Sequence, residues 1–177
     1  RYLRDQLGLP LAESRIVDLV LADLLARYEH DLPLLPGALD AVSRLAARWP
    51  LALASSSNRV VIEEVLDRSG LHACFDAVVS SEEVAHGKPS PDVYLAAARA
   101  LGAAPERCAA VEDSANGIRA AAAALMHLVV LPNPHFRPPD ELLAQADMVI
   151  ATLSDLTVSA LEAIGAQDRR RVLRSTP

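Results

Sequence analysis

Three short polar segments carry the residue types that could do anion and metal chemistry, and each follows an apolar run or precedes a helix. They are Ser55-Ser-Ser-Asn58, His86-Gly-Lys88-Pro-Ser-Pro-Asp92 and Glu112-Asp113-Ser114. Hydroxyl groups and the unpaired amides of a helix start can bind an anion, and lysine supplies a compact positive charge. Carboxylates bind hard divalent cations such as magnesium. In combination, the three segments predict a site for a phosphate group and Mg²⁺.

The serine segment holds more hydroxyl groups than a helix cap requires. One serine would satisfy the first-turn amides of the following helix, and plain capping is the alternative interpretation. Three serines stand in a row before Asn58. We therefore expect the phosphate group to contact Ser55, Ser56, Ser57 and Asn58. For Arg59, which follows directly, a solvated helix residue is the expected role.

Lys88 is the one lysine among 17 basic residues, and the others are all arginine. An ordinary surface lysine is the alternative, but that interpretation predicts further lysines along the helices. An ammonium group is a point charge that can hold a phosphate and a neighbouring carboxylate together. The surrounding residues do not form a Walker A loop, because Glu82 stands five positions before Gly87 and Pro89 follows the lysine.

Glu112 and Asp113 are adjacent carboxylates at the predicted end of a strand. Magnesium is commonly bound by one or two carboxylates together with water and phosphate oxygens. Helix capping by Asp113 is the alternative, and it leaves Glu112 unexplained. Both interpretations stay open at this point.

Other catalytic patterns have little support in the sequence. The five histidines show no HxxxH or HExxH spacing, and no serine lies in a GxSxG motif. Cys74 and Cys108 lack CxxC or CxxH spacing, which favours buried thiols in a reducing, cytoplasmic compartment over a disulfide or a zinc site.

Hydrophobic periodicity predicts that helices and strands alternate between the polar segments. The expected helices cover 11–28, 38–48, 60–68, 91–101 and 115–124, and the expected strands cover 51–54, 77–79, 108–111, 128–131 and 148–150. Short, fully apolar strands separated by helices are typical of a parallel sheet covered on both faces. We therefore predict a doubly wound α/β fold. Its ligands should lie beyond the carboxyl ends of the strands, where the three polar segments are.

Prolines and glycine in 31–37 predict a boundary between residues 1–33 and a core over 34–164, and residues 165–177 are expected to form a flexible tail. The chain has 177 residues, 51% of them hydrophobic, and a net charge of −6. That composition suffices for one core and argues against a nucleic-acid partner. No apolar run approaches the roughly 18 residues of a membrane span. Because the chain begins with Arg1, we expect it to be part of something longer.

In this order, the segments LALASSSN, GKPSPDVYL and VEDSANGIRAA resemble the haloacid dehalogenase superfamily of phosphatases and phosphomutases. The chain looks most like the branch that holds β-phosphoglucomutase and the sugar or hexitol phosphatases. The resemblance implies a Rossmann-like core, with residues 1–33 as the last part of a helical cap. It also implies that Ser55 and Lys88 bind the transferring phosphoryl group, and that Glu112 and Asp113 form the Mg²⁺ site with Asp113 as the direct ligand.

The chain departs from the family pattern in lacking the DxDGT motif, and no D-x-D occurs anywhere in it. That motif carries the aspartate nucleophile at the end of the first, central strand. Leu125 also stands where many relatives carry glycine.

The resemblance implies a magnesium-dependent phosphatase that acts on a small phosphorylated sugar or polyol through an aspartyl-phosphate intermediate, as a cytoplasmic monomer. Without the nucleophile, the chain alone is expected to fold poorly and to be inactive. A phosphomutase and a non-catalytic phosphate-binding descendant are the alternatives.

Overall fold

The computed structural model describes residues 11–175, and their order along the chain is that of an α/β protein. Seven α-helices lie in the described range: α1 Glu13–His30, α2 Ala38–Ala46, α3 Arg59–Ser69, α4 Asp92–Ala100, α5 Ala115–Ala123, α6 Asp140–Leu143 and α7 Val158–Ser175. Five strands alternate with them: β1 Ala52–Ser55, β2 Ala77–Ser80, β3 Ala109–Glu112, β4 His127–Val130 and β5 Met148–Val149. The five predicted helices and five predicted strands are confirmed, with ends that differ by at most two residues, whereas the sequence analysis predicted neither α6 nor α7.

All strand pairs in the described range are parallel, as the apolar strand pattern predicts. β1 pairs with β2 in one sheet, and β3, β4 and β5 pair in that order in a second sheet. Within the described residues, β1 and β3 each have a paired neighbour on one side only. The fold class is therefore confirmed, although the strands form two sheets and not one continuous sheet.

Alternate residues of the strands point to opposite helix layers, because successive side chains of a strand face opposite sides. Val79 of β2 and Leu128 of β4 pack in one core cluster with residues of α4, α5 and α6. Val78 packs on the other face against α3, and Val129 packs there against α2 and α7. The sheets are thus covered on both faces. The first cluster also joins the two sheets, since it contains residues from each.

Two turns show how local sequence ends the helices. Gly70 closes α3 with φ 70°, a left-handed conformation that glycine adopts without steric cost. Leu125 follows α5 with φ 60° and is 67% exposed. The departure from glycine noted at this position therefore falls where the backbone favours glycine, and the leucine side chain points into solvent.

The structure also bears on the expectations about the C-terminal tail and the thiols. Residues 165–175 continue helix α7, so Gly165 does not begin a separate segment, and residues 176–177 lie outside the described range. Cys74 and Cys108 are free but half-buried, because each lies beside a short turn and not within a strand core. No helix within residues 11–175 is both long and apolar enough to cross a membrane.

Candidate functional site

A cavity of about 340 Å³ lies where the carboxyl ends of β1 and β3 meet the loop that carries Lys88. The predicted site residues that line it are Ser55, Ser56, Ser57, Lys88, Glu112 and Asp113. Asn58 is not among the lining residues. Parallel strands bring segments that are up to 58 positions apart to one edge, which is why local polar segments after each strand converge here.

Lys88 lies at the centre of this site and its side chain is 11% exposed. The Nζ atom donates to the backbone oxygen of Ala54 at 3.1 Å, to the hydroxyl of Tyr94 at 3.1 Å and to Oε1 of Glu112 at 2.5 Å. The lysine therefore links the end of β1 to the end of β3. The expectation of an ordinary surface lysine does not fit this position.

Glu112 is buried and holds Lys88 in place. Its Oε1 atom accepts hydrogen bonds from Lys88 and Tyr94, and its Oε2 atom accepts from the Asp113 amide and the Ser114 hydroxyl, each at 3.2 Å. Burial acts to raise the pKa of Glu112, but the charge of Lys88 and these hydrogen bonds outweigh it and lower that pKa. Glu112 is thus ionised and pairs with the lysine.

The Tyr94 hydroxyl stays protonated in this arrangement. Burial and the adjacent Glu112 carboxylate raise the pKa of Tyr94. The hydroxyl can therefore donate to Glu112 while it accepts from Lys88. Tyr94 completes a buried triad that fixes the direction of the lysine side chain.

Gly117 is the residue of α5 that makes room for the Glu112 carboxylate. A Cβ atom at this position would lie 1.9 Å from Cδ and Oε2 of Glu112 and 2.1 Å from Oε1. We expect Gly117→Ala to lower the free energy of unfolding by about 1–3 kcal/mol through overpacking, although alanine is the better helix former. This change is measured by urea denaturation of a version of the protein extended by the strand that carries the DxDGT motif.

Gly165→Ala is the matched control, because a Cβ atom there meets nothing within 4 Å and the residue also lies within a helix. Helix propensity alone should make this control more stable by up to about 1 kcal/mol. Equal stabilisation by both substitutions would show that the Glu112 carboxylate does not need the space at Gly117.

Asp113 is the carboxylate of the pair that is open to the cavity. Its side chain is exposed, and its one hydrogen bond in the described structure is accepted from Asn133 Nδ2 at a long 3.4 Å. A hard oxygen donor of this kind suits Mg²⁺, whereas both oxygens of Glu112 already accept two hydrogen bonds. Among the described residues, no group of three or more His, Cys, Asp or Glu side chains could surround a metal ion. Asp113 therefore has the exposure and the oxygen chemistry of a candidate ligand for a hard cation.

The serine loop, residues 55–57, presents hydroxyl groups to the cavity from the end of β1. Ser55 Oγ accepts a hydrogen bond from the Ser57 amide at 3.1 Å, which leaves the proton of the Ser55 hydroxyl free to donate to another group. Ser56 and Ser57 are exposed at the same edge. The loop can thus donate hydrogen bonds to the oxygens of an anion.

Two neighbours of the serine loop have other partners than the sequence suggests. The Asn58 amide donates to Oε1 of Glu82 at 2.5 Å, which directs it away from the cavity. Arg59 is not simply solvated, because its guanidinium donates to Glu83, to Glu63 and to the backbone oxygen of Val78. Neither side chain lines the cavity.

The sequence held a signal for two of the residues that were missed. Gly117 is an isolated glycine inside a predicted helix, a position that usually has a packing reason. Tyr94 lies six residues after Lys88, within the same motif. Glu82 offered no such signal, since its contacts with Asn58 and Arg59 join residues 23 and 24 positions apart.

Beside this site lies a second cavity of about 430 Å³, formed by residues 132–134, 137 and 149–151. Arg137 is the one ionisable residue that lines it. It therefore offers neither the lysine nor the carboxylates that the first cavity holds.

Comparisons with known proteins find similar sequences and folds. A family model described as haloacid dehalogenase-like hydrolase matches residues 3–124. Hexitol phosphatase B of Escherichia coli K12 is 37% identical over 151 residues, which cover 85% of this chain and 68% of that protein. Fructose-1-phosphate phosphatase YqaB of the same organism is 40% identical over 91 residues, or 51% of this chain and 48% of that protein.

The crystal structure of CbbY from Rhodobacter sphaeroides in complex with phosphate superposes with a TM-score of 0.78. It is 31% identical in sequence, and the match covers 87% of this chain and 70% of that one. Sequence and fold similarity thus extend over most of the chain, including the three polar segments.

Proposed function

The chain belongs to the haloacid dehalogenase-like hydrolases, and on this premise we propose that its complete form is a magnesium-dependent phosphatase of a small phosphorylated sugar or polyol. The family and the phosphatase relatives make the complete protein a phosphoric monoester hydrolase. The choice of substrate class rests on the relatives named for hexitol and fructose-1-phosphate. The observation that carries the proposal is the single cavity shared by the serine loop, Lys88 and Asp113.

The charges around the cavity favour a phosphate only when a cation is present. Lys88 is neutralised by Glu112, so the carboxylate of Asp113 is left without a partner of opposite charge among the lining residues. A phosphate dianion beside that carboxylate is repelled. Magnesium held by Asp113 would offset most of the negative charge of the two groups and stabilise the charge that develops on the phosphoryl oxygens.

The remaining residues of the cavity bind and orient the phosphoryl group. The hydroxyls of Ser55, Ser56 and Ser57 donate to its oxygens, and the ammonium group of Lys88, held by Glu112, lines the same cavity next to it. Phosphoryl transfer depends mainly on such positioning and electrostatic stabilisation. Asn58, whose amide is bonded to Glu82, contributes by holding the loop.

The nucleophile in this proposal is an aspartate on a further strand that pairs between β1 and β3. Within residues 11–175 each of these two strands has one unpaired edge, their carboxyl ends line the cavity, and unpaired strand edges are costly when they are not covered. The aspartate would attack the phosphorus in line and form an aspartyl-phosphate, which water then hydrolyses. The 177-residue chain alone should therefore fold poorly and remain inactive.

Residues 1–33 are assigned to the helical cap in the same proposal, and residues 1–10 of this segment lie outside the described range. Helix α1 exposes Val17, Leu19 and Val20 by 42%, 45% and 55%, and contacts the core through α3. A cap helix that packs against further cap helices would carry such apolar residues. The core then spans 34–164, and the tail proposed for 165–177 begins within helix α7.

A screen of phosphate release tests the function directly. The chain extended with a strand that carries a DxDGT motif should release inorganic phosphate from hexitol or sugar phosphates with Mg²⁺ and should lose this activity with EDTA. The 177-residue chain should show no turnover above background. Conversion of a sugar phosphate to its isomer without phosphate release would instead identify a phosphomutase, and phosphate binding without either reaction would identify a binding protein.

A further inference from the structure

The amino terminus of α3 is already occupied by a carboxylate of the protein itself. Oε2 of Glu82 accepts a hydrogen bond from the Arg59 amide, the first of the helix, at 2.7 Å. Asn58, the residue at the N-cap position, makes no side-chain capping hydrogen bond and donates its amide to Oε1 of Glu82 instead. The unpaired amides and the helix dipole stabilise an anion at this point, and Glu82 supplies it.

Two serines that precede Glu82 hold the serine loop from the same side. The hydroxyl of Ser80 donates to the backbone oxygen of Ser57 at 2.8 Å, and the hydroxyl of Ser81 donates to the backbone oxygen of Ser55 at 3.2 Å. Ser80 has no exposed surface. We call residues 80–82 the loop clamp. None of them lines the cavity, so they affect the loop through hydrogen bonds to its backbone and not through contact with a ligand in the cavity.

The loop clamp is itself fixed by ion pairs and a capping box. Ser80 and Glu83 cap the short turn between them through reciprocal hydrogen bonds. Arg59 pairs with Glu83 and also donates to the Val78 backbone oxygen at 2.8 Å. The hydrogen bond to Arg59 is the main reason why the pKa of Glu83 lies below its ordinary value. The clamp therefore joins the end of β2 rigidly to the start of α3.

From these contacts we propose that Glu82 is a positioning residue for phosphate recognition, which fills the anion position of α3 and so fixes the serine loop for the substrate phosphoryl group. This inference rests on the proposed function, in which Ser55, Ser56 and Ser57 bind that group. The sequence pattern predicts one anion site that combines the loop hydroxyls with the amino terminus of α3, whereas the inference assigns different anions to these two positions. The loop hydroxyls receive the substrate, and the helix terminus receives Glu82.

The sign of the expected effect distinguishes positioning from electrostatics. Glu82 carries a negative charge close to the serine loop, so its removal should strengthen phosphate binding if charge alone matters. If Glu82 fixes the loop, its removal should weaken phosphate binding. The two accounts therefore predict opposite changes in one measured quantity.

The test is isothermal titration calorimetry. Inorganic phosphate is titrated, with Mg²⁺ present, into a version of the protein extended by the strand that carries the DxDGT motif. Glu82→Ala should weaken phosphate binding about tenfold, since it removes two hydrogen bonds to a charged acceptor. Glu82→Gln should stay within about threefold of the wild type, because its amide oxygen still accepts from the Arg59 amide. Glu141→Gln, an exposed glutamate on α6, is the matched control and should change nothing.

Circular dichroism verifies that each variant is folded. If Glu82→Ala does not fold, the test is made with Glu82→Gln. Unchanged or tighter phosphate binding by Glu82→Ala, or tighter binding by Glu82→Gln, would overturn the inference while the proposed function stands. A wild-type protein that binds no phosphate with Mg²⁺ would refute the proposed function and, with it, this inference.

Discussion

Replacing Lys88 by arginine should reduce phosphatase turnover about 10²–10³-fold in a version of the protein extended by the strand that carries the DxDGT motif. The Nζ atom contacts Ala54, Tyr94 and Glu112 within 3.1 Å from a side chain that is 11% exposed. A planar guanidinium is larger, and its fork cannot reproduce a point contact between a phosphate and a carboxylate. The positive charge is preserved in this variant, so the expected loss comes from geometry.

Lys88→Met separates the role of the lysine in stability from its role in activity. Methionine leaves the buried carboxylate of Glu112 without its ion-pair partner, which should lower the free energy of unfolding by about 3–5 kcal/mol. Lys88→Arg should lose less stability because it keeps the charge. Urea denaturation and phosphate release are measured on both variants.

Arg99→Lys is the control, an exchange of the same two residue types at an exposed position of α4. It should alter neither quantity. Turnover by Lys88→Arg near the wild-type rate would exclude the assigned role of the lysine.

Asp113→Asn should abolish most magnesium-dependent turnover, with a loss of more than about 100-fold. Replacing a residue that only hydrogen-bonds to a metal ligand typically lowers metal affinity or activity about 10–100-fold. Asp113 is assigned as a direct ligand, so its replacement should cost more. The variant keeps the size of the side chain but removes the charge that holds the cation. Its stability should change by less than about 0.5 kcal/mol, because the side chain is exposed and makes one long hydrogen bond.

The measurements for Asp113→Asn are phosphate release as a function of Mg²⁺ concentration and titration of Mg²⁺ alone by calorimetry. Asp67→Asn, an exposed aspartate on α3, serves as the control and should retain both activity and metal affinity. If Asp113→Asn turned over substrate at the wild-type rate at the same Mg²⁺ concentration, the metal role of Asp113 would be wrong.

The five strands and the first five helices were predictable because each depends on neighbours in the sequence, whereas α6 and α7 were not predicted. The apolar runs that become β1, β3 and β4 stand between turns and amphipathic helices, and the observed strands begin and end within one residue of the predicted positions. Their parallel pairing was predictable because apolar strands that alternate with helices need cover on both faces. The division into two sheets was not predictable, because the apolar pattern does not show that β1 pairs only with β2 and β3 only with β4 among the described residues.

The location of the candidate site was predictable because ligands of parallel α/β sheets bind beyond the carboxyl ends of the strands. Ser55, Lys88 and Asp113 line one cavity because parallel topology brings the ends of β1 and β3 to the same edge, next to the Lys88 loop. The orientation of each side chain was not predictable. Asn58 follows the serines in sequence, but Glu82 competes successfully for its amide.

The sequence by itself determined the residue types of the site, their order and the strands that carry them, because these depend on local periodicity and composition. Only the tertiary structure decided the partners. It pairs Lys88 with Glu112, leaves Asp113 open to the cavity and places Glu82 at the start of α3. The physical reason is that burial, hydrogen-bond competition and steric room depend on residues that are distant in the chain and meet only after folding.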